Sequence, residues 1–439
     1  MSNELTKGAI DRLGDKIREE SVAISDITLS ELQNYRISHK ETLSQVFNTL
    51  CKLSRKIHAS SIVTFRIKRF ESIIGKLERY QDMRFSRMWD IAGCRCIVRN
   101  NNDVYKFKKL IEEDIELEIV KEYDYIKIPQ ENGYKSLHLF IKIRSSQTII
   151  ELQIRNVKDH NWATLVEITD LLYDSRLKEY GENKELLRFH YLLSKVEDLQ
   201  INEKYEISKI INEYKYFEKL SETFSKNYLK VRKKWFELES QSDHKYFLIE
   251  TTKTDVPNIE SFSNFQDAED RYFNVYKTRQ NANIVLTHLP NANYNQISIA
   301  YSNYILTFHT FISESFDIME SLIIESLQNR KYIAFFKNYK LYQELLFNHI
   351  KNMLTEIVEI QEFSSNKKSK KNNHKKKEKE WILDIRKHAE NNQNRSKNLQ
   401  KEFNRNMPQT IFGKFMINQI TKRIGNGYRK KIEKVLATT

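Results

Sequence analysis

Side chains that could handle a charged ligand recur between residues 66 and 155 of this 439-residue chain. The run TIIELQIR reads as a strand, and its two-residue period places a carboxylate, an amide and a guanidinium on one face: Glu151, Gln153 and Arg155. Apolar side chains occupy the opposite face. The polar face is either a ligand-binding surface or simply the solvent-exposed side of the strand.

An aromatic ring among cations precedes this strand. In the run SLHLFIKI, His138 has the opposite parity to the apolar residues and therefore leaves the apolar face. The preceding segment DYIKIPQENGYKS contains Pro129 and an Asn-Gly pair, which mark a sharp turn. That turn holds Tyr134 close to Lys127, Lys135 and His138. Such an arrangement suits a nucleobase stacked on the ring, with its phosphates on the cations.

A row of phosphate-binding side chains is predicted further upstream. Lys68, Ser72 and Lys76 are four residues apart and share one face of a helix, with Arg66 just before it. This pattern indicates an anion-binding helix start, although a solvated lysine row would look the same.

Asp90 lies where the first of these strands begins, five residues before Arg95. Strict alternation would place the two side chains on opposite faces. They can serve one site only if Asp90 lies in the turn that enters the strand.

The elements that must position these side chains form a mixed architecture. Nine Gly and four Pro indicate a helix-rich protein. Four strand-like runs between residues 66 and 155, with helices over about 71–80 and 102–113, indicate an α+β fold with a mixed sheet. The predicted organisation is N-terminal helices (1–60), an α/β domain (61–183), a long helical segment (184–244), a small ferredoxin-like β-α-β-β-α unit plus helices (245–363), a basic linker (364–380) and a basic helical tail (381–439).

Composition and motifs exclude several classes of protein. The GxxxxGK[ST] phosphate-binding loop is absent, because Phe70 and Pro408 stand where its first glycine is required. Motifs of Rossmann cofactor sites, zincins and α/β-hydrolases are also missing. Three cysteines predict no disulfide framework, and with no apolar signal core they favour the cytoplasm. The uncharged stretch 280–313 is too polar to span a membrane.

The positive charge is concentrated near the end of the chain. Residues 364–439 contain 21 Lys and Arg against 6 Asp and Glu, an excess of +15, whereas the whole chain carries +14. This segment suits a polyanion such as tRNA or the ribosome, and a solvated disordered end is the alternative.

Four stretches together resemble the synthetase domain of the RelA/SpoT family of (p)ppGpp synthetases: RIKRFESIIGK (66–76), DIAGCRCIV (90–98), DYIKIPQENGYKSLHLFI (124–141) and IELQIRNVKDHNWA (150–163). The resemblance covers about 100 residues in the family's order and implies a nucleotidyltransferase-like fold. It also implies Mg²⁺-dependent transfer of pyrophosphate from ATP to the 3′-hydroxyl of GDP or GTP. Family members with a hydrolase half carry a His-Asp pair, which this sequence lacks, so hydrolysis is not expected.

The resemblance also implies a role for each residue. Arg66 and Arg95 would stack on adenine, and Lys68, Ser72 and Lys76 would hold the ATP phosphates. Asp90 and Glu151 match the family's Mg²⁺-associated carboxylates, with Glu151 also the candidate base. Tyr134 would stack on guanine, and the acceptor side would be lined by Lys127, His138, Gln153 and Arg155.

Two other hypotheses remain open at this point. Toxic members of the family pyrophosphorylate the 3′ end of tRNA, and the basic tail motivates that alternative. A non-catalytic protein that binds RNA or the ribosome is the third, although Asp90 and Glu151 are both present.

Overall fold

The computed structural model describes residues 6–20, 23–173, 183–222, 244–251, 258–279, 283–289, 307–365 and 372–438, with a few isolated positions between them. The chain forms two compact units, residues 1–163 with 240–302 and residues 164–239 with 303–439. The first unit combines helices with a mixed sheet, and the described part of the second is helical. This confirms the α+β class.

The elements are as follows. The strands are β1 (Ile62–Ile67), β2 (Ala92–Val98), β3 (Leu117–Asp124), β4 (Leu137–Ile143), β5 (Ile150–Asn156), β6 (Tyr246–Thr251), β7 (Asn258–Phe262) and β8 (Asn283–His288). The helices are α1 (Lys7–Glu19), α2 (Asp26–Ile37), α3 (Lys40–Ile57), α4 (Phe70–Arg79), α5 (Asn101–Glu112), α6 (Val157–Tyr173), α7 (Lys184–Leu193), α8 (Ile201–Glu213), α9 (Phe265–Thr278), α10 (Thr307–Gln328), α11 (Tyr332–Ser365), α12 (Asn372–Arg405) and α13 (Ile411–Thr438).

The sheet of the first unit runs in the order β3-β4-β5-β2-β1-β8-β6-β7. The β2–β5 pair is parallel and the other pairs are antiparallel. The four predicted strands correspond to β2, β3, β4 and β5, and the two predicted helices to α4 and α5. Strand β1 was not predicted. Its residues 62–65 are buried in succession, so it lacks the alternation by which the other strands were recognised.

The described strands after residue 244 do not make a sheet of their own. Strand β8 pairs antiparallel with β1, for example Phe65 with Leu286, and β6 and β7 continue the same sheet. The sequence predicted a separate ferredoxin-like unit because local patterns do not reveal that β1 offers an edge for pairing. Strand β7 was also not predicted. The last strand of the predicted β-α-β-β-α unit covers residues 296–305; of these, Gln296 and Ile297 are helical and the remainder lies outside the described residues.

The two faces of the sheet differ in chemistry. Helices α3, α5 and α9 cover one face, where Phe47, Phe107 and Tyr272 pack on apolar strand residues. Helices α1, α2 and α4 form a second apolar cluster around Leu32 and Phe85. The opposite face of strands β1 to β5 carries the polar side chains that alternation predicted.

In the second unit, the long helical segment predicted over 184–244 is divided within its described part: α7 and α8 are separate helices, and residues 216–222 are helical again after a turn at 214–215. Apolar side chains of this segment are buried, among them Ile207, Ile211, Phe217 and Leu220. The predicted basic tail lies in α12 and α13, with Trp381 buried. Helix α12 begins earlier, at Asn372, so residues 372–380 of the predicted linker are helical, and residues 366–371 lie outside the described residues. Among the helices that the structure describes, none combines the length and apolar character required to cross a bilayer.

Candidate active site

Asp90 lies in the turn that enters β2, where it had to lie to share a site with β2 side chains. Two lysines hold its carboxylate: Lys68 Nζ is 2.5 Å from Oδ2, and Lys76 Nζ is 2.9 Å from Oδ2 and 3.0 Å from Oδ1. Burial opposes ionisation of Asp90, but the two ammonium groups outweigh it and lower the pKa to about 2. Asp90 is therefore a carboxylate at every physiological pH.

The row Lys68, Ser72 and Lys76, which the sequence predicted on one helix, lies only partly on α4. The helix begins at Phe70, so Lys68 precedes it, Ser72 lies in its first turn and Lys76 lies in its last turn. The two lysines meet because both contact Asp90, which bridges the ends of the row. Where the sequence predicted an anion-binding helix start, the structure has two lysines around a carboxylate. Ser72 lies between these two lysines in the sequence.

Glu151 lies on β5, on the polar face predicted by alternation. Across the parallel β2–β5 pair it is opposite Gly93. A Cβ atom at Gly93 would lie 3.2 Å from the main-chain oxygen of Glu151 and 3.8 Å from its Oε2. The missing side chain of Gly93 therefore leaves space around the carboxylate.

Five side chains form a closed ring of hydrogen bonds that begins and ends at Glu151. His138 Nδ1 is 3.0 Å from Glu151 Oε1, and its Nε2 is 2.7 Å from the Tyr134 hydroxyl. Arg155 Nη2 donates to that hydroxyl at 2.5 Å and to Gln153 Oε1 at 2.9 Å. Gln153 Nε2 completes the ring by donating to Glu151 Oε2 at 3.1 Å. Neighbouring strands β4 and β5 hold the ring, because His138 is paired with Gln153.

The ring shifts the pKa values of its members. Burial favours the neutral forms of Glu151 and His138, but their mutual contact lowers the pKa of Glu151 and raises the pKa of His138. Burial would also raise the pKa of Tyr134, yet Arg155 and His138 outweigh it and lower the value to about 8. The ring therefore favours the ionised form of the carboxylate and the cationic form of the imidazole beside it.

Tyr134 is expected to ionise near pH 8, well before an ordinary tyrosine. As the pH rises through 8, the phenolate forms because the Arg155 guanidinium stabilises it. The measurement is an ultraviolet titration of the phenolate band, taken as the difference between the wild type and Tyr134→Phe. Arg155→Met should move the transition to higher pH. A difference spectrum with no transition below about pH 9.5, close to an ordinary phenol, would contradict the assignment.

Of the other predicted site residues, Arg66 and Arg95 lie on the polar face with Glu151, whereas Lys127 lies apart from the ring. Arg66 is exposed and opposite Gly93, and Arg95 is opposite Gln153, so both share the polar face with Glu151. Lys127 is not joined to the ring in the described part of the chain. Its ammonium lies 3.6 Å from Asp124 and 5.3 Å from the ring centroid of Tyr105 on α5, and 71% of its side chain is exposed.

An open cleft of about 500 Å³ lies beside the two carboxylates. It is lined by Lys76, Arg87, Trp89, Asp90, Lys121, Tyr123, Phe140 and Glu151. Sequence reasoning missed Arg87, Trp89, Lys121, Tyr123 and Phe140. Phe140 had a usable signal, because it has the same parity as His138.

A β-bulge explains why Lys121 and Tyr123 were missed. The β3–β4 register shifts between Ile119 and Lys121, so Ile119 packs on the core whereas Lys121 and Tyr123 lie opposite Phe140 and His138 on the polar face. Strict alternation would have kept all three residues on the core face. Bulges commonly redirect side chains in this way next to active sites.

Residues 65–177 match a family model described as "Region found in RelA / SpoT proteins", which confirms the predicted resemblance. GTP pyrophosphokinase YwaC of Bacillus subtilis is 35% identical over 135 residues, which cover 28% of this chain and 62% of that protein. GTP pyrophosphokinase YjbM of the same organism is 29% identical over 126 residues, or 27% of this chain and 59% of that protein. The chain thus spans about three fifths of these relatives.

Solved structures of similar proteins include small alarmone synthetase 2 from Bacillus subtilis, which is 26% identical. The match covers 42% of this chain and 99% of that chain, with a TM-score of 0.33. Small alarmone synthetase 1 from the same organism, bound to its product pppGpp, is 24% identical. That match covers 39% of this chain and 91% of the other, with a TM-score of 0.30.

Proposed function

Because residues 65–177 are a RelA/SpoT region, we propose that this chain transfers the β,γ-diphosphate of ATP to the 3′-hydroxyl of GDP or GTP. The products are AMP and ppGpp or pppGpp. The observation that carries the proposal is that Asp90 and Glu151 line one cleft together with Lys76. Pyrophosphoryl transfer requires charge neutralisation and alignment more than covalent chemistry, and these groups supply both.

On the donor side, the lysine pair would bind the ATP phosphates. Lys68 and Lys76 now contact the Asp90 carboxylate, and phosphate oxygens are acceptors of the same kind. ATP binding would therefore replace part of the lysine–carboxylate contact with lysine–phosphate contacts. Burial and the neighbouring Lys76 lower the pKa of Lys68, whereas Asp90 opposes that change. A bound phosphate would act on Lys68 in the same direction as Asp90 and favour its ammonium form.

On the acceptor side, Glu151 would orient the 3′-hydroxyl and accept its proton. The hydroxyl oxygen forms a bond to the β-phosphorus, the bond from that phosphorus to the α-phosphate bridging oxygen breaks, and AMP leaves. His138 lowers the pKa of Glu151, so the carboxylate stays ionised but is a weak base. A weak base suits a loose transition state, in which the hydroxyl proton is lost late.

The two carboxylates fit a magnesium ion that arrives with the nucleotide. Among the described residues, no group of three or more His, Cys, Asp and Glu could hold a metal by itself. Mg²⁺ in nucleotide sites takes one or two carboxylates, with phosphates and water completing its shell. Asp90 and Glu151 would supply those ligands, and the bound ion would offset the charge that develops on the phosphates.

The nucleobases would stack on the same polar face. The Arg155 guanidinium lies 4.9 Å from the ring centroid of Tyr134, so a guanine would use the opposite face of that ring. Arg66 and Arg95 would contact the adenine, since both share the polar face with Glu151. Lys127 is a weaker candidate for the acceptor side, because it pairs with Asp124 near α5.

The second candidate function uses the same active site on the 3′ end of tRNA. The excess of +15 in residues 364–439 favours it, since a basic segment attracts a long polyanion more strongly than a mononucleotide. Such binding weakens steeply with salt. Transfer to tRNA should therefore fall with added salt and with deletion of residues 366–439, whereas transfer to GDP should not.

The test incubates the full chain with γ-labelled ATP and Mg²⁺, separately with GDP, GTP and deacylated tRNA, and resolves the labelled products. Label in ppGpp or pppGpp is the expected result. Label confined to tRNA would replace the first candidate with the second. No label in any acceptor, from a chain whose unfolding transition is cooperative, would favour the non-catalytic RNA-binding hypothesis.

A further inference from the structure

The segment that carries Lys68 is held by residues far away in the sequence. Lys68 follows β1 directly, and its amide donates to the Ile91 carbonyl at 2.8 Å. The Ile67 amide donates instead to the Tyr272 hydroxyl at 2.9 Å, and the Tyr276 hydroxyl donates to the Lys68 carbonyl at 3.2 Å. Both tyrosines belong to α9, so this helix contacts the main chain on either side of the Lys68 Cα atom.

A buried arginine reinforces the same contact. The Arg36 guanidinium is fully buried and lies between two rings, 4.1 Å from the Phe70 centroid and 4.2 Å from the Tyr276 centroid. Its Nε donates to the Lys68 carbonyl at 3.0 Å. Its Nη1 donates to Gln33 Oε1 at 2.6 Å. Two donors from different helices therefore converge on one carbonyl oxygen.

Helix α9 is itself fixed independently of this segment. Ser44 of α3 donates to Glu269, and Lys40 lies 3.4 Å from Asp270. Gln33 of α2 donates to the Tyr276 carbonyl at 2.9 Å. The hydroxyls of Tyr272 and Tyr276 are therefore carried by a helix anchored to α2 and α3.

We propose that Tyr272 and Tyr276 are positioning residues for the ATP donor: they fix the main chain at Lys68 and so direct its ammonium into the site. Helix α9 lies outside residues 65–177, so the RelA/SpoT region of this chain would depend on an element that it does not contain. The inference rests on the proposed function only for the identity of the bound nucleotide. The placement of Lys68 is a property of the protein alone.

The test compares Tyr272→Phe and Tyr276→Phe, singly and together, with the matched control Tyr246→Phe. Tyr246 lies on β6 and packs on Phe265 and His288, and no hydrogen bond joins its hydroxyl to residues 66–69 in the described chain. Each change keeps the ring and removes a hydroxyl, so the core packing is preserved.

Two readouts are expected to change in the double variant and not in the control. Amide exchange in the peptide containing Ile67 and Lys68 should accelerate, while exchange in β5 stays slow. The Kd for ATP, and the KM for ATP if the chain turns over, should rise about tenfold, because two net hydrogen bonds to the segment are lost. The KM for the acceptor should not change.

The two proposals fail in different ways. A wild type that makes no labelled product overturns the proposed function, but amide exchange still tests the positioning role. Unchanged exchange around Lys68, or an ATP affinity equal to that of Tyr246→Phe, overturns the positioning role even in an active synthetase. If the double variant does not fold, each single variant is expected to show a smaller change of the same sign, and its absence in both contradicts the proposal.

Discussion

Replacing Glu151 with glutamine is expected to lower the rate of pyrophosphoryl transfer about a thousandfold, within the range that general bases contribute. Glutamine has nearly the same shape but cannot accept the 3′-hydroxyl proton, and it removes one of the two carboxylates in the cleft. His138 should lose its ion-pair partner and show a lower pKa, because the contact with Glu151 raises that pKa in the native ring.

The measurement is kcat with saturating ATP and GDP, together with a thermal unfolding curve for each protein. Glu122→Gln is the matched control: Glu122 lies on strand β3 of the same sheet, pairs with Lys108 and does not line the cleft. The control should retain wild-type kcat. An active Glu151→Gln variant, with kcat within tenfold of the wild type, would remove Glu151 from the role of base and leave His138 as the nearest alternative.

Asp90→Asn is expected to separate nucleotide binding from turnover. Turnover should fall about a hundredfold or more, because the counter-ion that would offset the developing phosphate charge loses one of its two carboxylate ligands. Binding of ATP without a divalent cation should become tighter, since Lys68 and Lys76 would no longer be paired with a carboxylate and could engage the phosphates fully.

The experiment measures Kd for ATP in the presence of a chelator and kcat in the presence of Mg²⁺. Asp82→Asn is the control, because Asp82 is an exposed carboxylate in the turn after α4 and does not line the cleft. It should alter neither quantity. Weaker metal-free ATP binding in Asp90→Asn would mean that Asp90 serves mainly to hold the two lysines in place, rather than to compete with phosphate.

Comparing the stabilities of Asp90→Asn and Glu151→Gln tests whether their loss of activity is caused by unfolding. The pKa of Asp90 is lowered to about 2, so its ion pairs stabilise the fold above the ordinary carboxylate range and this contribution is lost as the pH falls toward 2. Asp90→Asn should therefore reduce the stability at neutral pH more than Glu151→Gln does. A loss of activity that follows stability across the two variants would indicate unfolding rather than chemistry.

Much of the site is encoded locally and could be predicted from sequence. Alternation in β4 and β5 placed His138, Glu151, Gln153 and Arg155 on one face, because a strand's two-residue period depends only on local backbone geometry. The same parity argument required Asp90 to lie in the turn before β2, where it is found. The four stretches that resemble the RelA/SpoT family are local sequence patterns of the same kind.

Other features depend on contacts between residues distant in the chain. The bulge after Ile119, which brings Lys121 and Tyr123 into the cleft, breaks the period on which the prediction relied. The pairing of β8 with β1 joins segments more than 200 residues apart, and no local pattern encodes which edge a strand will meet.

The hydrogen-bonded ring and the contacts between α9 and the main chain at Lys68 also depend on residues distant in the chain. Sequence identified Tyr134 and His138 as neighbours of cations, but the closed ring requires two strands in one register. Tyr272 and Tyr276 belong to a helix that lies about 200 residues after Lys68 in the chain, and only the folded sheet brings their hydroxyls to the main chain at Lys68. Local patterns in the sequence therefore indicate which chemistry is available and on which face of each strand it lies. Which groups touch depends on the folded chain, because side-chain direction follows from the local backbone period whereas contact follows from long-range pairing and packing.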